Sequence, residues 1–178
     1  MSGSLGKGYT HVYTGSGKGK TTAALGLALR AVGSGLRVLV VQFLKGPDAT
    51  GELRGAERLA PELEIRPMGR GGVFSPSDVS PRDAVLASYA LAESMREIVS
   101  SRWDVMVLDE ILAACSLDLL KVQDVLRIME ARPQGVELIL TGRGAPREVM
   151  EKADLVTEMR EVRHYFHEGV GGRIGIER

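Results

Sequence analysis

The chain has 178 residues, 44% hydrophobic and 26% charged, enough apolar material for one globular domain with a real core. Lys plus Arg number 23, as do Asp plus Glu, so the formal net charge is zero. That balance argues against a broad nucleic-acid footprint. Cys115 is the only cysteine, so no intrachain disulfide can form and a reduced, cytoplasmic setting is expected.

The opening "MSGSLGKG" lacks the apolar core of a signal peptide and reads as a flexible tail over residues 1–8. No apolar run approaches a membrane span, and no membrane partner is expected. Tyr9 to Thr14 is a short β-prone run ending at glycine. "KTTAALGLALRAV", Lys20 to Val32, is rich in Ala and Leu and apolar nearly all round, which predicts a buried helix. "RVLVVQFL", Arg37 to Leu44, has no polar alternation and predicts a central parallel strand. Leu63 to Arg66 is a further candidate strand. The Gly- and Pro-bearing stretch from Lys45 to Pro81 reads mostly as loop, with a helical turn near Glu52 to Leu59.

Ser80-Pro81-Arg82-Asp83 is a helix start: a capping serine, a proline at the first position, an acid completing the box. That helix should run to about Ser100. "DVMVLDE", Asp104 to Glu110, reads as a buried strand ending in two acids. Leu117 to Ala131 reads as one helix, "VELILTG" as a strand, Pro146 to Ala153 as a short helix and "DLVTEM" as a last strand. Strands alternating with helices predict an α/β fold, a mostly parallel sheet covered on both faces in three layers. Ligands bind such sheets at the carboxyl ends of the strands, where Thr14, Lys45, Asp109 and Thr141 fall.

The strongest signal is "TGSGKGKTT", Thr14 to Thr22. It nearly matches the phosphate loop, Gly, four residues, Gly-Lys-Ser/Thr. Gly19-Lys20-Thr21 fits the end, but Thr14 stands where the first glycine belongs, and the glycine comes one residue late at Gly15. An extra lysine, Lys18, lies inside. Gly15, Gly17 and Gly19 let the backbone curl its N–H groups inward, and the following helix adds its positive end. Lys20 supplies charge for phosphate, and the Thr21 hydroxyl can bind Mg²⁺. Asp109-Glu110 are placed to hold that ion, directly or through water. "TGRG", Thr141 to Gly144, puts Arg143 within reach of an anionic group, with an ordinary Gly-rich turn as the alternative. His164 and His167 lack further ligands at metal spacing, so "HYFHEGVGG" reads as packing or substrate contact. Phe74, in a Gly-rich loop, is either a ligand wall or a core anchor. To this point the residues describe a Mg²⁺-dependent nucleoside-triphosphate protein of open reaction.

Several segments together resemble the phosphate-loop ATP:corrinoid adenosyltransferases, which act on corrinoids such as cob(I)yrinic acid a,c-diamide or cob(I)alamin. They are "TGSGKGKTTAALGLALRAVGSG", "VVQFLKG", "DVMVLDE", "ARPQGVELILTGRGAP" and "ADLVTEMREVRH", spread from Tyr9 almost to the end. The late glycine and inner lysine are features of that family's loop. The resemblance implies a recombinase-ATPase-like fold and an adenosyltransferase domain over residues 9–178. It implies transfer of the 5′-deoxyadenosyl group of ATP to cobalt(I), with tripolyphosphate leaving. Gly15, Ser16, Gly17, Lys18, Gly19, Lys20, Thr21 and Thr22 would wrap the triphosphate, Lys18, Lys20 and Glu110 would serve catalysis, and Arg143 would lie near. Thr21 and Glu110 would hold Mg²⁺ with Asp109 beside them. A flavoprotein reductant and a homodimer are consistent with the resemblance.

Two departures stand out. Some members cover the corrinoid with an amino-terminal helix, whereas only about eight residues precede the first strand here; the cover is then absent or supplied by another subunit. Some place Phe and Trp in the loop after the third strand, whereas the matching positions here are Gly72 and Phe74, leaving Phe74 as the candidate corrinoid contact. Cobalt(I) carries no proton to remove, so no general base is needed, in keeping with the residue inventory. The competing readings are a phosphate-loop hydrolase or phosphotransferase, with Glu110 orienting the attacker, and a nucleotide-dependent binding module, which the low aromatic content of 4% disfavours.

Overall fold

A computed structural model describes residues 5–47, 50–72 and 76–177. Six strands form one sheet: β1 (Thr10–Thr14), β2 (Val38–Gln42), β3 (Leu63–Pro67), β4 (Val105–Asp109), β5 (Glu137–Thr141) and β6 (Leu155–Glu158). The order is β3-β2-β4-β5-β1-β6, and the paired strands are all parallel. The expected mostly parallel sheet is thus wholly parallel among the described residues. Helices α1 (Lys20–Gly33), α2 (Gly51–Glu57), α3 (Pro81–Ile98), α4 (Ile111–Ser116), α5 (Val122–Ala131) and α6 (Arg147–Lys152) connect the strands.

Period-two alternation divides each central strand between two cores. Val38, Val40, Val105, Val107 and Ile139 face Ala24, Ala28 and Ala31 of α1. Leu39, Val41, Met106, Leu108, Leu138 and Leu140 face the other way, in a core that includes Ala87 and Ala90 of α3 and Val125 and Ile128 of α5. Small alanines on α1 let that helix lie close to the sheet, which fixes the loop before it. Three layers result.

The capping box at Ser80 and Asp83 forms as read from the sequence. The helix expected over Leu117 to Ala131 forms only from Val122, as α5, and α4 before it is unexpected. Positive φ at Asp118, 57°, breaks the chain there, so α4 ends at Ser116 and α5 begins at Val122. The apolar run of α4 is buried from Ile111 to Cys115 and carries no amphipathic period to mark it as helix. In the segment expected as a tail, Leu5 packs against the α1-side core, and the Gly8 N–H donates to the Gln134 carbonyl at 2.7 Å.

Candidate active site

The loop between β1 and α1 curls at the carboxyl end of the sheet, and its displaced glycine has a steric cause. Gly15 has φ of 99°, and a Cβ there would sit 2.4 Å from the Met159 carbonyl oxygen. A Cβ on Gly17 would meet Met159 O and Arg160 C, each at 2.8 Å. The Gly17 N–H donates to the Met159 carbonyl at 2.7 Å. The loop is therefore pressed against the chain leaving β6, and glycine is needed at 15 and 17 for that approach. Thr14 is free to carry a side chain: its hydroxyl accepts from the Ala145 N–H at 3.2 Å, tying the loop to the one after β5. Gly19, with φ of 117°, turns the chain into α1.

Lys20 is buried and donates to the carbonyls of Gly15 at 2.9 Å and Gly17 at 2.7 Å. Burial pulls its ammonium below the usual lysine range; Glu110 and Asp109 oppose that and Arg143 adds to it. Lys18 is exposed on the rim of a cleft of about 510 Å³, lined also by Ser16, Gly17, Gly19, Lys20, Thr21, Thr22, Glu110 and Arg143.

Asp109, at the end of β4, is wholly buried. One carboxylate oxygen accepts from the hydroxyls of Thr21 at 2.8 Å and Thr141 at 2.7 Å. The other accepts from Gln42 and pairs with Lys45 Nζ, each at 3.3 Å. Lys45 also pairs with Glu52 at 3.2 Å. Its burial opposes charge, but Asp109 and Glu52 outweigh this and hold the ammonium protonated more firmly than usual.

Glu110 follows with φ of 64°, a left-handed residue between strand and helix. Its N–H donates to Thr141 Oγ1 at 3.0 Å, and its side chain lines the cleft. Burial, then the neighbouring Asp109, pushes its carboxyl above the usual range. Arg143 follows Gly142, where a Cβ would lie 2.4 Å from the Ala113 nitrogen. The TGRG turn thus presses onto α4 and carries Arg143 to the cleft.

A second cleft of about 1010 Å³ adjoins the first and is bordered by Gly46, Gly71, Gly72, Phe166, Val170 and Ile174. Lys45, Glu52, His164 and Glu177 line both. His167 pairs with Glu161 at 2.7 Å, and among the described residues no group of three metal-ligating side chains gathers. Phe74 lies outside the described residues. No described helix is long and apolar enough to cross a membrane.

The sequence places Lys45 at a ligand-binding strand end but gives it no role, and it does not mark Glu52 or Glu177 as cleft residues. The i, i+4 spacing of Arg173 and Glu177 signals an ion pair but not its place at the clefts.

A parallel sheet with a phosphate loop after its first strand and an acid ending β4 defines a phosphate-loop nucleotide-binding protein. Solved structures agree on the fold. The KaiC-like protein PH0186 from Pyrococcus horikoshii OT3 has TM-score 0.57 at 18% identity, over 88% of this chain and 75% of that one. The flagellar accessory protein FlaH from Methanocaldococcus jannaschii has TM-score 0.54 at 15% identity, over 86% and 72%. The family model described as ATP:corrinoid adenosyltransferase BtuR/CobO/CobP matches residues 6–178, and the chain belongs to that family. Corrinoid adenosyltransferases from Escherichia coli K12 and Salmonella typhimurium LT2 are each 37% identical over 96% of this chain and 86% of their own length. That of Pseudomonas aeruginosa is 36% identical over 96% and 84%.

Proposed function

We propose that the two clefts hold the two substrates of adenosyl transfer, with the reaction at their shared border. The observation that carries this is the common wall of Lys45, Glu52, His164 and Glu177 between a loop-lined polar cleft and an apolar one. The first suits a triphosphate and the second the face of a corrin ring. Gly72 borders the apolar cleft, and Phe74, two positions on in the sequence, is assigned in this reading to the corrinoid side.

Cobalt(I) attacks the ribose C5′ with its own electron pair. A cobalt–carbon bond forms, the bond from C5′ to the triphosphate oxygen breaks, and the metal rises formally from +1 to +3. Tripolyphosphate leaves whole with the bonding pair. No proton moves at the reacting centre, so the protein's task is to receive charge on the leaving group and to orient it. The amino-terminal end of α1 and the ammonium groups of Lys18 and Lys20 serve this, Lys20 by leaving the carbonyls of Gly15 and Gly17 for phosphate. Arg143 adds a planar guanidinium at the same cleft.

The donor set also fits Mg²⁺, which prefers hard oxygen ligands. The Thr21 hydroxyl directs its hydrogen to Asp109 and so keeps its lone pairs outward, and Glu110 offers a carboxylate in the cleft. Asp109, with both oxygens engaged, orients Thr21 from behind. When bound, Mg²⁺ neutralises charge on the triphosphate. A cytoplasmic setting, a flavoprotein donor of the reducing electron and pairing of two copies are compatible with this reading; the described residues of β6 form an exposed edge strand.

The test is to incubate the protein with ATP, Mg²⁺ and chemically reduced cobalamin. A light-sensitive alkylcobalamin spectrum that requires all three is expected. ATP consumption without that spectrum would favour the hydrolase reading.

A further inference from the structure

Residues 161–177 leave β6 and wall both clefts, yet they are tied mainly to themselves. Among the described residues, their hydrogen bonds run within the segment. The Tyr165 hydroxyl donates to the Glu177 carboxylate. Arg173 donates to the same carboxylate from its backbone N–H at 2.8 Å and from Nη2 at 3.1 Å. The Arg173 guanidinium also lies over the Tyr165 ring, 4.8 Å from its centroid. Tyr165 thereby meets Arg173 and Glu177, eight and twelve positions further along the chain, while Arg173 and Glu177 pair four apart. Arg173 and Tyr165 hold the Glu177 carboxyl down at about 2, so it remains an anion at working pH.

The segment shows its apolar side chains to the clefts rather than to the core. Phe166 is 66% exposed and Ile174 85% exposed, and both line the apolar cleft. A stretch bound to itself and resting on the body by few polar ties can shift as a unit at low cost. An apolar macrocycle in the cleft would cover Phe166 and Ile174, and that burial would hold the segment in place.

We infer that Tyr165, Arg173 and Glu177 form a clasp of positioning residues, which sets the carboxyl-terminal segment as the wall covering the corrinoid side of the site. The inference rests on the adenosyltransferase reading. It covers the corrinoid side with the chain's own residues 161–177. Glu177 acts through Tyr165 and Arg173, by fixing where Phe166 and Ile174 stand. Opening the clasp should loosen the corrinoid and leave the core intact.

The test compares wild type with Glu177→Ala, Glu177→Gln and Tyr165→Phe. Glu177→Ala should raise the KM for reduced cobalamin at least tenfold, raise the KM for ATP by less, and leave the thermal midpoint unchanged. Glu177→Gln, which still accepts hydrogen bonds, and Tyr165→Phe should fall between. Limited trypsin digestion gives a readout independent of turnover: cleavage after Arg163 or Arg173 should be faster in Glu177→Ala, and hydroxocobalamin should slow it in wild type more than in the variant. Unchanged corrinoid KM with unchanged cleavage overturns the clasp. So does a joint loss of kcat, ATP affinity and thermal midpoint, which would make Glu177 a general stabiliser. If wild type forms no alkylcobalamin, the functional reading fails, and equal trypsin cleavage of wild type and Glu177→Ala would separately overturn the clasp.

Discussion

Thr21 and Asp109 are joined by a 2.8 Å hydrogen bond in which the hydroxyl is the donor. The direction matters more than the distance. A threonine that gives its hydrogen to a buried carboxylate turns its lone pairs to the cleft, where a cation can use them. Asp109→Asn would replace the accepting oxygen on one side by an amide and remove the charge that balances Lys45. Outer partners of metal ligands typically account for about 10–100-fold in metal affinity or activity. The Mg²⁺ concentration giving half-maximal turnover should therefore rise about tenfold or more. A Mg²⁺ titration that overlays wild type would detach Asp109 from the metal.

Glu110 is expected to act directly. Glu110→Gln keeps the size and the left-handed turn but removes the charge. The loss of one electrostatic contact made in the transition state costs on the order of a hundredfold in rate. Turnover at saturating ATP should fall by about that factor, with the unfolding midpoint no lower than wild type. Activity within twofold of wild type at low Mg²⁺ would take Glu110 out of the site.

The elements that repeat a local rule were legible: buried β-branched runs for β2 and β4, the capping box of α3, the loop before α1. The break at Asp118 was not, because a left-handed residue within an apolar run leaves no periodic trace. The loop itself shows the same limit. Its glycines could be read as phosphate-binding, but not the reason for their shift, which lies in Met159 and Arg160, over a hundred residues away. Glu177 was hidden for a related reason: the i, i+4 spacing to Arg173 is local, but Tyr165 and the clefts meet it only through a fold of the terminal segment.

Gly15→Ala tests that long-range contact. Its Cβ would overlap the Met159 carbonyl, and φ of 99° is strained for any L residue with a side chain. Strain of this kind costs about 1–3 kcal/mol, enough to shift the loop. ATP affinity by calorimetry should fall at least tenfold. Thr14→Gly, which restores the common spacing without a clash, should bind ATP far better than Gly15→Ala. Equal affinities in the two variants would show that the contact with Met159 does not shape the loop.

Stability at acid pH should depend on Glu97, far from the site. Its carboxylate is buried and bonded by Arg66 at 2.8 Å and by the Trp103 indole at 2.8 Å, with Arg102 as a further donor. Burial pushes its carboxyl up, but these donors outweigh burial and hold it at about 2, below the ordinary glutamate value of about 4.3. A depressed carboxyl stabilises the fold above its unfolded value and loses that contribution as pH falls from about 4 towards 2. Glu97→Gln should cost about 2–3 kcal/mol at pH 7, less than a fully enclosed pair because Arg66 and Arg102 keep access to water. Urea unfolding at pH 7 and pH 2.5 should show the gap between variant and wild type narrowing at the lower pH. A gap independent of pH would mean that packing, and not charge, is what Glu97 contributes.

A Lys20 variant and the identity of the phosphate product together test which end of the triphosphate reacts. In phosphoryl transfer the γ-phosphorus is attacked, and the loop lysine serves the bond to the γ-phosphate. In adenosyl transfer the ribose carbon is attacked, and charge appears first on the α-phosphate oxygen of a leaving group three phosphates long. Electrostatic groups must stand where charge develops, and in the proposed reading two lysines of this loop, Lys18 and Lys20, serve one leaving group. Lys20→Ala should therefore lower turnover on the order of a hundredfold while raising the KM for ATP less, since the remaining N–H groups and Lys18 still hold the ground state. Phosphorus NMR of a wild-type turnover mixture should show intact tripolyphosphate formed in step with alkylcobalamin, and Lys20→Ala should slow both equally. ADP and orthophosphate as the main products would move the reacting centre to the γ-phosphate. A KM change larger than the kcat change would make Lys20 a binding residue that serves substrate and transition state alike.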